Sequence, residues 1–213
     1  MKTVLAFGDS LTWGADAQTG GRHAFEDRWP TVLKQELAGV ARVVPEGLSG
    51  RTTCYDDHAS LADLNGTRAF AMLLATHTPI DLVIIMLGTN DLKSHICGKA
   101  FGAVMGMRRL AQIAATYPFA PSEPRPKVLL VSPPVIQVPS LPLALDHFVG
   151  AAPESHKLAA LYREIADAEG CSFFDAASVA TVTPVDGVHL DAANTRAIGR
   201  SLCPLVKGLI FAG

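Results

Sequence analysis

The sequence predicts an α/β fold, a three-layer αβα sandwich built around a five-stranded parallel sheet. One observation is that short apolar runs alternate along the chain with longer segments of helical periodicity. Another is that the run LVIIML (82–87) is apolar at every position, which is typical of a central strand covered on both faces. Strands that alternate with helices favour parallel pairing through right-handed crossovers.

The elements follow one another in a regular order. Strands are expected at 3–7, 41–47, 81–88, 127–134 and 171–176, and helices at 28–38, 68–77, 100–117, 153–170 and 191–210. Pro153 near the start of the fourth helix and Gly170 after its end fit the usual helix boundaries. Pro204 is expected to kink or shorten the last helix. The chain, 1–213, is long enough for one domain with a sizeable core.

Polar motifs follow three of the predicted strands. A sheet of this class commonly has the flavodoxin-like order 2-1-3-4-5, with a binding crevice at the carboxyl ends of the strands where the order reverses. Strands 2, 1 and 3 are then neighbours, and the segments that follow them carry Gly50, Ser10 and Asn90. Asp186 and His189, in the loop before the last helix, would have to reach this crevice from the far side, which strand order alone does not guarantee.

Each motif also has a structural explanation. Asp9 or Ser10 could be a helix N-cap, and Gly50 or Asn90 could serve a turn. The segment FGDSLTWG is not the G-x-S-x-G elbow of α/β-hydrolases, because Gly8 lies two residues before Ser10 and position 12 is not glycine. The sequence also lacks the G-x-x-x-x-G-K-[ST] phosphate-binding motif.

Four motifs together resemble one known family. GDSL (8–11), Gly50 in GLSG, GTND (88–91) and DGVH (186–189) are similar in order, spacing and placement to the GDSL/SGNH hydrolase family. The segments around them further resemble the arylesterase/acyltransferase branch of that family, although position 6 is Ala in this chain. The motifs span nearly the whole sequence, so the resemblance concerns the complete fold.

The resemblance implies a role for each matching residue. Ser10 would be the nucleophile, His189 the general base and Asp186 the residue that orients His189, while the oxyanion hole would come from the Ser10 N–H, the Gly50 N–H and the Asn90 amide. These residue types suit the chemistry, because a serine hydroxyl needs a base to remove its proton as it attacks an ester. No metal and no cofactor is expected. The family also implies homo-oligomers, including octamers.

The substrate pocket is less defined by the sequence. Leu11 and Trp13 follow the nucleophile and are expected to bind substrate, although Trp13 could equally be a packed core aromatic. Two segments, 15–27 and 133–152, interrupt the alternation of strands and helices and have the length of lids or binding loops. The second is apolar enough to require a ligand or another subunit to cover it.

The amino-acid composition limits the classes of partner that this protein is expected to bind. The net charge of −2 and the absence of a basic stripe argue against nucleic acid binding. No apolar run approaches the length of a membrane span, and the run near Met1 is too short for a signal peptide, so a cytoplasmic protein is expected. The four cysteines form no C-x-x-C pair or zinc-like cluster and are expected to be reduced.

These observations lead to one main hypothesis and two alternatives. The main hypothesis is a serine esterase that hydrolyses small aryl or alkyl esters through an acyl-serine intermediate, with acyl transfer to alcohols as an additional activity. A carbohydrate O-acetylesterase would use the same catalytic residues. A non-catalytic flavodoxin-like binding module is the alternative of another class, although Asp91 is a poor candidate for a phospho-acceptor.

Overall fold

The computed structural model describes residues 1–138 and 146–211 and contains a single five-stranded parallel sheet within these ranges. Its strands are β1 Lys2–Gly8, β2 Ala41–Gly47, β3 Leu82–Met86, β4 Lys127–Ser132 and β5 Ser172–Asp175. They are arranged in the order β2-β1-β3-β4-β5, and every neighbouring pair is parallel. The predicted sheet and strand order are therefore confirmed.

Helices cover both faces of this sheet. They are α1 Ser10–Trp13, α2 Trp29–Glu36, α3 Gly66–His77, α4 Ala100–Thr116, α5 Ala151–Glu169 and α6 Ala192–Phe211. Among the described residues, three short 3-10 helices lie in the connections: Phe25–Asp27, Asn90–Leu92 and Ala176–Ser178. Helices α3, α4 and α5 pack on one face, and α2 and α6 pack on the other, which produces the predicted three layers.

The core is divided into two clusters by the sheet. Along β1, Leu5 and Phe7 point into the cluster with α3, α4 and α5, whereas Val4 and Ala6 point into the cluster with α2 and α6. This alternation follows from the two-residue period of a strand. All residues of β3 are buried, as the continuous apolar run predicted, and full burial of each such side chain contributes about 1.5–3 kcal/mol.

Helix α6 shows where tertiary packing outweighs local preference. The expectation that Pro204 could shorten this helix is wrong, because the helix continues to Phe211. Proline removes the hydrogen bond to the carbonyl four residues earlier, that of Arg200. Pro204 and Arg200 both lie on the exposed side of the helix, so this carbonyl can bond to water. The opposite side, with Leu202 and Val206, is buried in the core.

The carboxyl ends of β1 and β2 bring α1 close to the sheet. A Cβ at Gly8 would overlap with the side chain of Thr12, and a Cβ at Gly47 would overlap with the backbone of Trp13. Only glycine allows the short helix to lie directly on these strand ends. This close packing places Ser10, the first residue of α1, at the edge of the sheet where the predicted crevice lies.

Candidate active site

Ser10 occupies the N-terminal end of α1 because Asp9 caps this helix. The Asp9 side chain accepts a hydrogen bond from the N–H of Leu11 at 2.9 Å. Ser10 is the first helical residue, so its own N–H has no acceptor within the helix. The helix ends after one turn at Gly14, whose backbone has a φ of 93° in the left-handed region. Asp9 therefore fulfils the N-cap role considered from the sequence. Ser10 is 6% exposed and lines a cavity, and its N–H has no partner among the residues that the structure describes.

A hydrogen-bonded series joins the two ends of the chain. The Oγ of Ser10 lies 3.0 Å from Nε2 of His189. The Nδ1 of the same ring lies 2.5 Å from Oδ2 of Asp186. The structure thus brings together three residues that the sequence places in the first and last motifs. The hydroxyl, the imidazole and the carboxylate lie in the order that a nucleophile, a general base and a carboxylate that orients the base require.

The loop that carries Asp186 and His189 is held by its own backbone. Oδ1 of Asp186 accepts from the N–H of Val188 at 3.0 Å and from the N–H of His189 at 2.9 Å. Gly187 between them has a φ of 70°, which a glycine adopts without strain. Burial alone would raise the pKa of Asp186, but the hydrogen bonds from His189 and Val188 outweigh it and lower this pKa. The carboxylate is therefore ionised where it faces the imidazole.

Gly50 and Asn90 lie beside Ser10 in the same cavity. Gly50 has a φ of 88°, and a Cβ at this position would come within 2.8 Å of the Leu64 side chain. Asn90 begins the 3-10 helix after β3, and its amide donates to the carbonyl of Arg51 at 3.1 Å. The same amide nitrogen lies 3.3 Å from Oδ2 of Asp9. All three predicted oxyanion-hole residues therefore line one cavity with His189.

Two buried carboxylates lie directly behind these residues. Burial raises the pKa of Asp9 to about 6, an effect only partly offset by the N–H of Leu11. Burial also raises the pKa of Asp91 to about 6, although Thr53 donates to it from both its N–H and its hydroxyl. From the sequence, Asp9 was considered only as a helix N-cap and Asp91 only as a poor candidate for a phospho-acceptor. Their positions beside Ser10 and Asn90 were visible in the motifs, but their burial was not.

The site opens into a cavity of about 470 Å³. Its main lining residues come from distant segments: Ser10, Trp13, Asp16, Gly50, Asn90, Lys93, His147, Phe148, Asp186 and His189. The predicted binding loop 15–27 contributes Asp16 and neighbouring small residues. The second predicted loop, 133–152, contributes His147 and Phe148, while its segment 139–145 lies outside the described residues.

The two predicted substrate-binding residues have different environments. Trp13 lines the cavity, and the guanidinium of Arg22 lies 4.3 Å from the centre of its ring. Leu11 is 3% exposed and packs into the core with Trp29 and Leu33. Successive helical residues point in directions about 100° apart, so the side chain after Ser10 faces the sheet. The prediction that Leu11 lines the pocket is therefore wrong.

The described residues were also compared with the requirements for a metal site, a membrane-spanning helix and a disulfide. Across residues 1–138 and 146–211, no three His, Cys, Asp or Glu side chains are grouped in a way that could hold a metal ion. None of the helices in the described ranges combines the length and hydropathy needed to cross a membrane. Cys54, Cys97, Cys171 and Cys203 are all free thiols.

A parallel α/β sheet that presents a serine, an imidazole and a carboxylate in series to an open cavity defines a serine hydrolase. The model of the GDSL-like lipase/acylhydrolase family matches residues 6–196. The chain belongs to this family. The resemblance seen in the four sequence motifs is therefore confirmed.

Solved structures with the same fold include proteins described as esterases. A carbohydrate acetylesterase family member from Sinorhizobium meliloti is 51% identical, with a TM-score of 0.97 over 99% of each chain. A putative arylesterase from Agrobacterium tumefaciens is 56% identical, with a TM-score of 0.92 over 98% of this chain and 100% of the other. The aryl esterase of M. smegmatis is 40% identical, with a TM-score of 0.93 over 98% of this chain and 100% of the other. Comparison with curated proteins found no match.

The protein is accordingly a carboxylic ester hydrolase, and its fold is that of the serine esterases it resembles. The hypothesis of a non-catalytic flavodoxin-like binding module is set aside, because family membership and the arylesterase neighbours identify an enzyme. The arylesterase and carbohydrate acetylesterase neighbours are both compatible with this activity, so the alcohol half of the substrate is a separate question.

Proposed function

We propose that Ser10 attacks the carbonyl carbon of a small acyl ester, with His189 as general base and Asp186 as the residue that orients His189. The observation that carries this proposal is the series Ser10 Oγ to His189 Nε2, at 3.0 Å, and His189 Nδ1 to Asp186, at 2.5 Å. As the Oγ–carbon bond forms, the hydroxyl proton moves to Nε2. The bond to the leaving alcohol then breaks, and Nε2 returns the proton to the alcohol oxygen. A water molecule then attacks the acyl-serine in the same way, with His189 as the base, and releases the carboxylic acid.

The negative charge that develops on the carbonyl oxygen is stabilised by three donors. These are the N–H groups of Ser10 and Gly50 and the side-chain amide of Asn90, which line the cavity together. Loss of one such donor typically costs about 2.7–4 kcal/mol of transition-state stabilisation. The Asn90 amide nitrogen lies 3.1 Å from the carbonyl oxygen of Arg51 and 3.3 Å from Oδ2 of Asp9, and these contacts hold it beside Ser10.

Acyl transfer to alcohols uses the same intermediate. An alcohol that replaces water attacks the acyl-serine, and His189 removes its proton in the same way. Trp13 and Phe148 give the cavity apolar walls that favour an alcohol over water. The ratio of transfer to hydrolysis is measured by the ester and acid formed from a vinyl ester in the presence of a primary alcohol.

A carbohydrate O-acetylesterase is the second candidate, and the polar part of the cavity favours it. Asp16, Lys93 and His147 line the same space as Ser10. The Sinorhizobium meliloti neighbour at 51% identity is described as a carbohydrate acetylesterase family member. Parallel assays with acetylated sugars and aryl acetates distinguish this candidate from an arylesterase.

Fluorophosphonate labelling tests the assignment of Ser10. The wild-type protein is expected to be labelled on Ser10 and to hydrolyse 4-nitrophenyl acetate. Ser10→Ala removes the nucleophile and is expected to abolish both, with the circular dichroism spectrum unchanged. Ser122→Ala changes an exposed serine and is the matched control. Normal turnover by Ser10→Ala would refute the assignment.

We also propose that the protein forms a homo-oligomer and is located in the cytoplasm. A homo-oligomer, up to an octamer, is supported by the large apolar side chains exposed on the single chain, such as Met72 at 62% and Phe101 at 70%. Light scattering of the purified protein measures its mass. A cytoplasmic location is supported by the four free cysteines, which suit a reducing compartment. Cell fractionation tests this location.

A further inference from the structure

A second cavity of about 610 Å³ adjoins the catalytic cavity. Lys93 and His147 line both, so the two spaces share a wall. The second cavity is lined in addition by Asp57 and His95. The alcohol half of an ester held at Ser10 would therefore lie near Lys93 and His147, where the two cavities meet.

Lys93 provides hydrogen-bond donors that the protein itself does not use. Its side chain is 14% exposed, so most of the aliphatic stem is packed. Within the described ranges, its ammonium makes no hydrogen bond, and the nearest carboxylate oxygen, Oδ2 of Asp57, is 3.9 Å away. Burial lowers the pKa of Lys93, although Asp57 opposes this effect. A partly desolvated ammonium with three unused donors is a strong site for an acceptor.

Asp57 provides an acceptor beside these donors. Its side chain is 8% exposed, and Oδ1 accepts from the N–H of Ala59 at 3.1 Å. Oδ2 has Lys93 at 3.9 Å and His95 Nε2 at 3.7 Å, both beyond hydrogen-bond distance. A separation of 3.9 Å is less than twice a hydrogen bond of about 2.8 Å, so one ligand hydroxyl can bond to both atoms at once.

The histidines complete this wall and are held in place. The rings of His95 and His147 pack edge to face with their centres 5.5 Å apart. Ser94 donates from its N–H to the carbonyl of His147 at 2.9 Å and from its hydroxyl to the carbonyl of Asp146 at 3.1 Å. These bonds connect the segment after β3 to the segment before α5. The wall therefore presents donors and acceptors at fixed positions.

The combination of charges selects among ligand classes. An anionic group would approach Lys93 but would be repelled by Asp57. An aromatic ring would displace water from both charges without replacing its hydrogen bonds, which is costly. A hydroxyl donates to the carboxylate and accepts from the ammonium, so it satisfies both. A ligand with several neighbouring hydroxyls fits this wall best.

We propose that Asp57, Lys93 and His95 form a subsite for free hydroxyl groups on the alcohol half of the ester, so that the preferred substrates are partially O-acylated sugars or polyols. The subsite rests on the proposed function, because its position is defined relative to an ester held at Ser10. It adds to that function the residues that select the substrate.

The test compares two esters of similar shape. A methyl hexoside with a single O-acetyl group carries free hydroxyls, whereas cyclohexyl acetate has a six-membered ring without them. The wild type is expected to show kcat/KM at least about tenfold higher for the sugar ester. Lys93→Met and Asp57→Ala are expected to lower this preference about tenfold, mainly through KM, because each removes a charged hydrogen-bond partner. His58→Ala alters an exposed neighbouring histidine and is expected to keep the preference.

Fluorophosphonate labelling of Ser10 accompanies each assay and reports an intact catalytic centre. If Asp57→Ala does not fold, Asp57→Asn replaces it, because asparagine keeps the shape of the side chain but removes its charge. Asp57→Asn is then expected to lower the preference for the sugar ester in the same way. A wild-type protein that is labelled and hydrolyses both esters equally well would overturn the subsite alone. Equal losses of kcat/KM for both esters in Lys93→Met would also overturn the subsite. A wild-type protein that is neither labelled nor active on any ester would instead overturn the proposed function.

Discussion

Oδ2 of Asp9 lies 3.3 Å from the side-chain amide nitrogen of Asn90 and accepts its hydrogen bond. The other carboxylate oxygen of Asp9 accepts from the N–H of Leu11 in α1. One fully buried carboxylate thus connects the helix that carries Ser10 with the residue proposed as an oxyanion donor. This side chain therefore helps to fix the relative position of nucleophile and donor, although it is 1% exposed and does not line the substrate cavity.

Asp9→Asn is expected to lower kcat on 4-nitrophenyl acetate by about tenfold or more, with little change in KM. The new amide can accept from Leu11 but cannot accept a second bond from Asn90, and losing a bond to a charged group costs about 1.5–3 kcal/mol. Steady-state kinetics measures the effect, with Asp167→Asn on the exposed side of α5 as the control. An unchanged kcat would show that Asn90 is positioned without Asp9.

The raised pKa of Asp9 also predicts that the free energy of unfolding depends on pH. Its pKa of about 6 in the folded protein lies above the ordinary value of 3.8. The folded state therefore binds this proton more tightly than the unfolded state, and ionisation of Asp9 lowers stability as pH rises from about 4 to about 6. Relative to Asp9→Asn, the wild type is expected to lose about 1 kcal/mol between about pH 5 and about pH 8.

For a chain of this size, that loss corresponds to about 2–4 °C in Tm. Thermal melts of both proteins at the two pH values measure it. A difference in Tm that stays constant with pH, or that changes in favour of the wild type at high pH, would contradict the assignment of a raised pKa to Asp9.

Asp186→Asn is expected to reduce kcat by about 10³–10⁴-fold while leaving the fold intact. The oxygen of the new amide keeps the bonds from the N–H groups of Val188 and His189, so its NH2 group faces Nδ1 of His189 and donates to it. The ring proton is then held on Nε2, which cannot accept the proton of Ser10. The pKa of Asp186 is lowered, so its carboxylate stays ionised as the pH falls toward the ordinary value of 3.8. Steady-state assays of both proteins across the pH range measure the loss of kcat and show whether the effect of Asp186 persists at low pH. A loss below tenfold would mean that another group orients His189.

Gly106→Ala is expected to destabilise the protein by about 1–3 kcal/mol through overpacking. A Cβ at Gly106 in α4 would overlap with the hydroxyl of Thr53, which donates to buried Asp91. Gly208→Ala in α6 is the matched control, because in the described part of the chain no atom beyond its neighbours and its own helix backbone lies within 4 Å of the added Cβ. Alanine also favours a helix over glycine by about 1 kcal/mol. Denaturant unfolding compares the two variants. Equal effects on stability would contradict the close packing at Gly106.

The strands and helices were predictable because each has its own local pattern, and the order of strands followed from the order that is common for this fold class. Apolar runs with a period of two or with continuous burial, separated by helical patterns, define a parallel sheet without knowledge of distant contacts. The end of α6 was less certain from the sequence, because the cost of Pro204 is local but the burial of Leu202 and Val206 that outweighs it is not.

By itself, the sequence determined the elements, their order and the four motifs that contain Ser10, Gly50, Asn90, Asp186 and His189. The tertiary structure alone decided that Leu11 faces the core, that Asp9 and Asp91 are buried, and that Lys93 and Asp57 share a wall beside the catalytic cavity. The reason is physical. Local patterns report the direction of a side chain relative to its own strand or helix. Burial, pKa and the distance between groups far apart in the chain depend on which surfaces pack against one another.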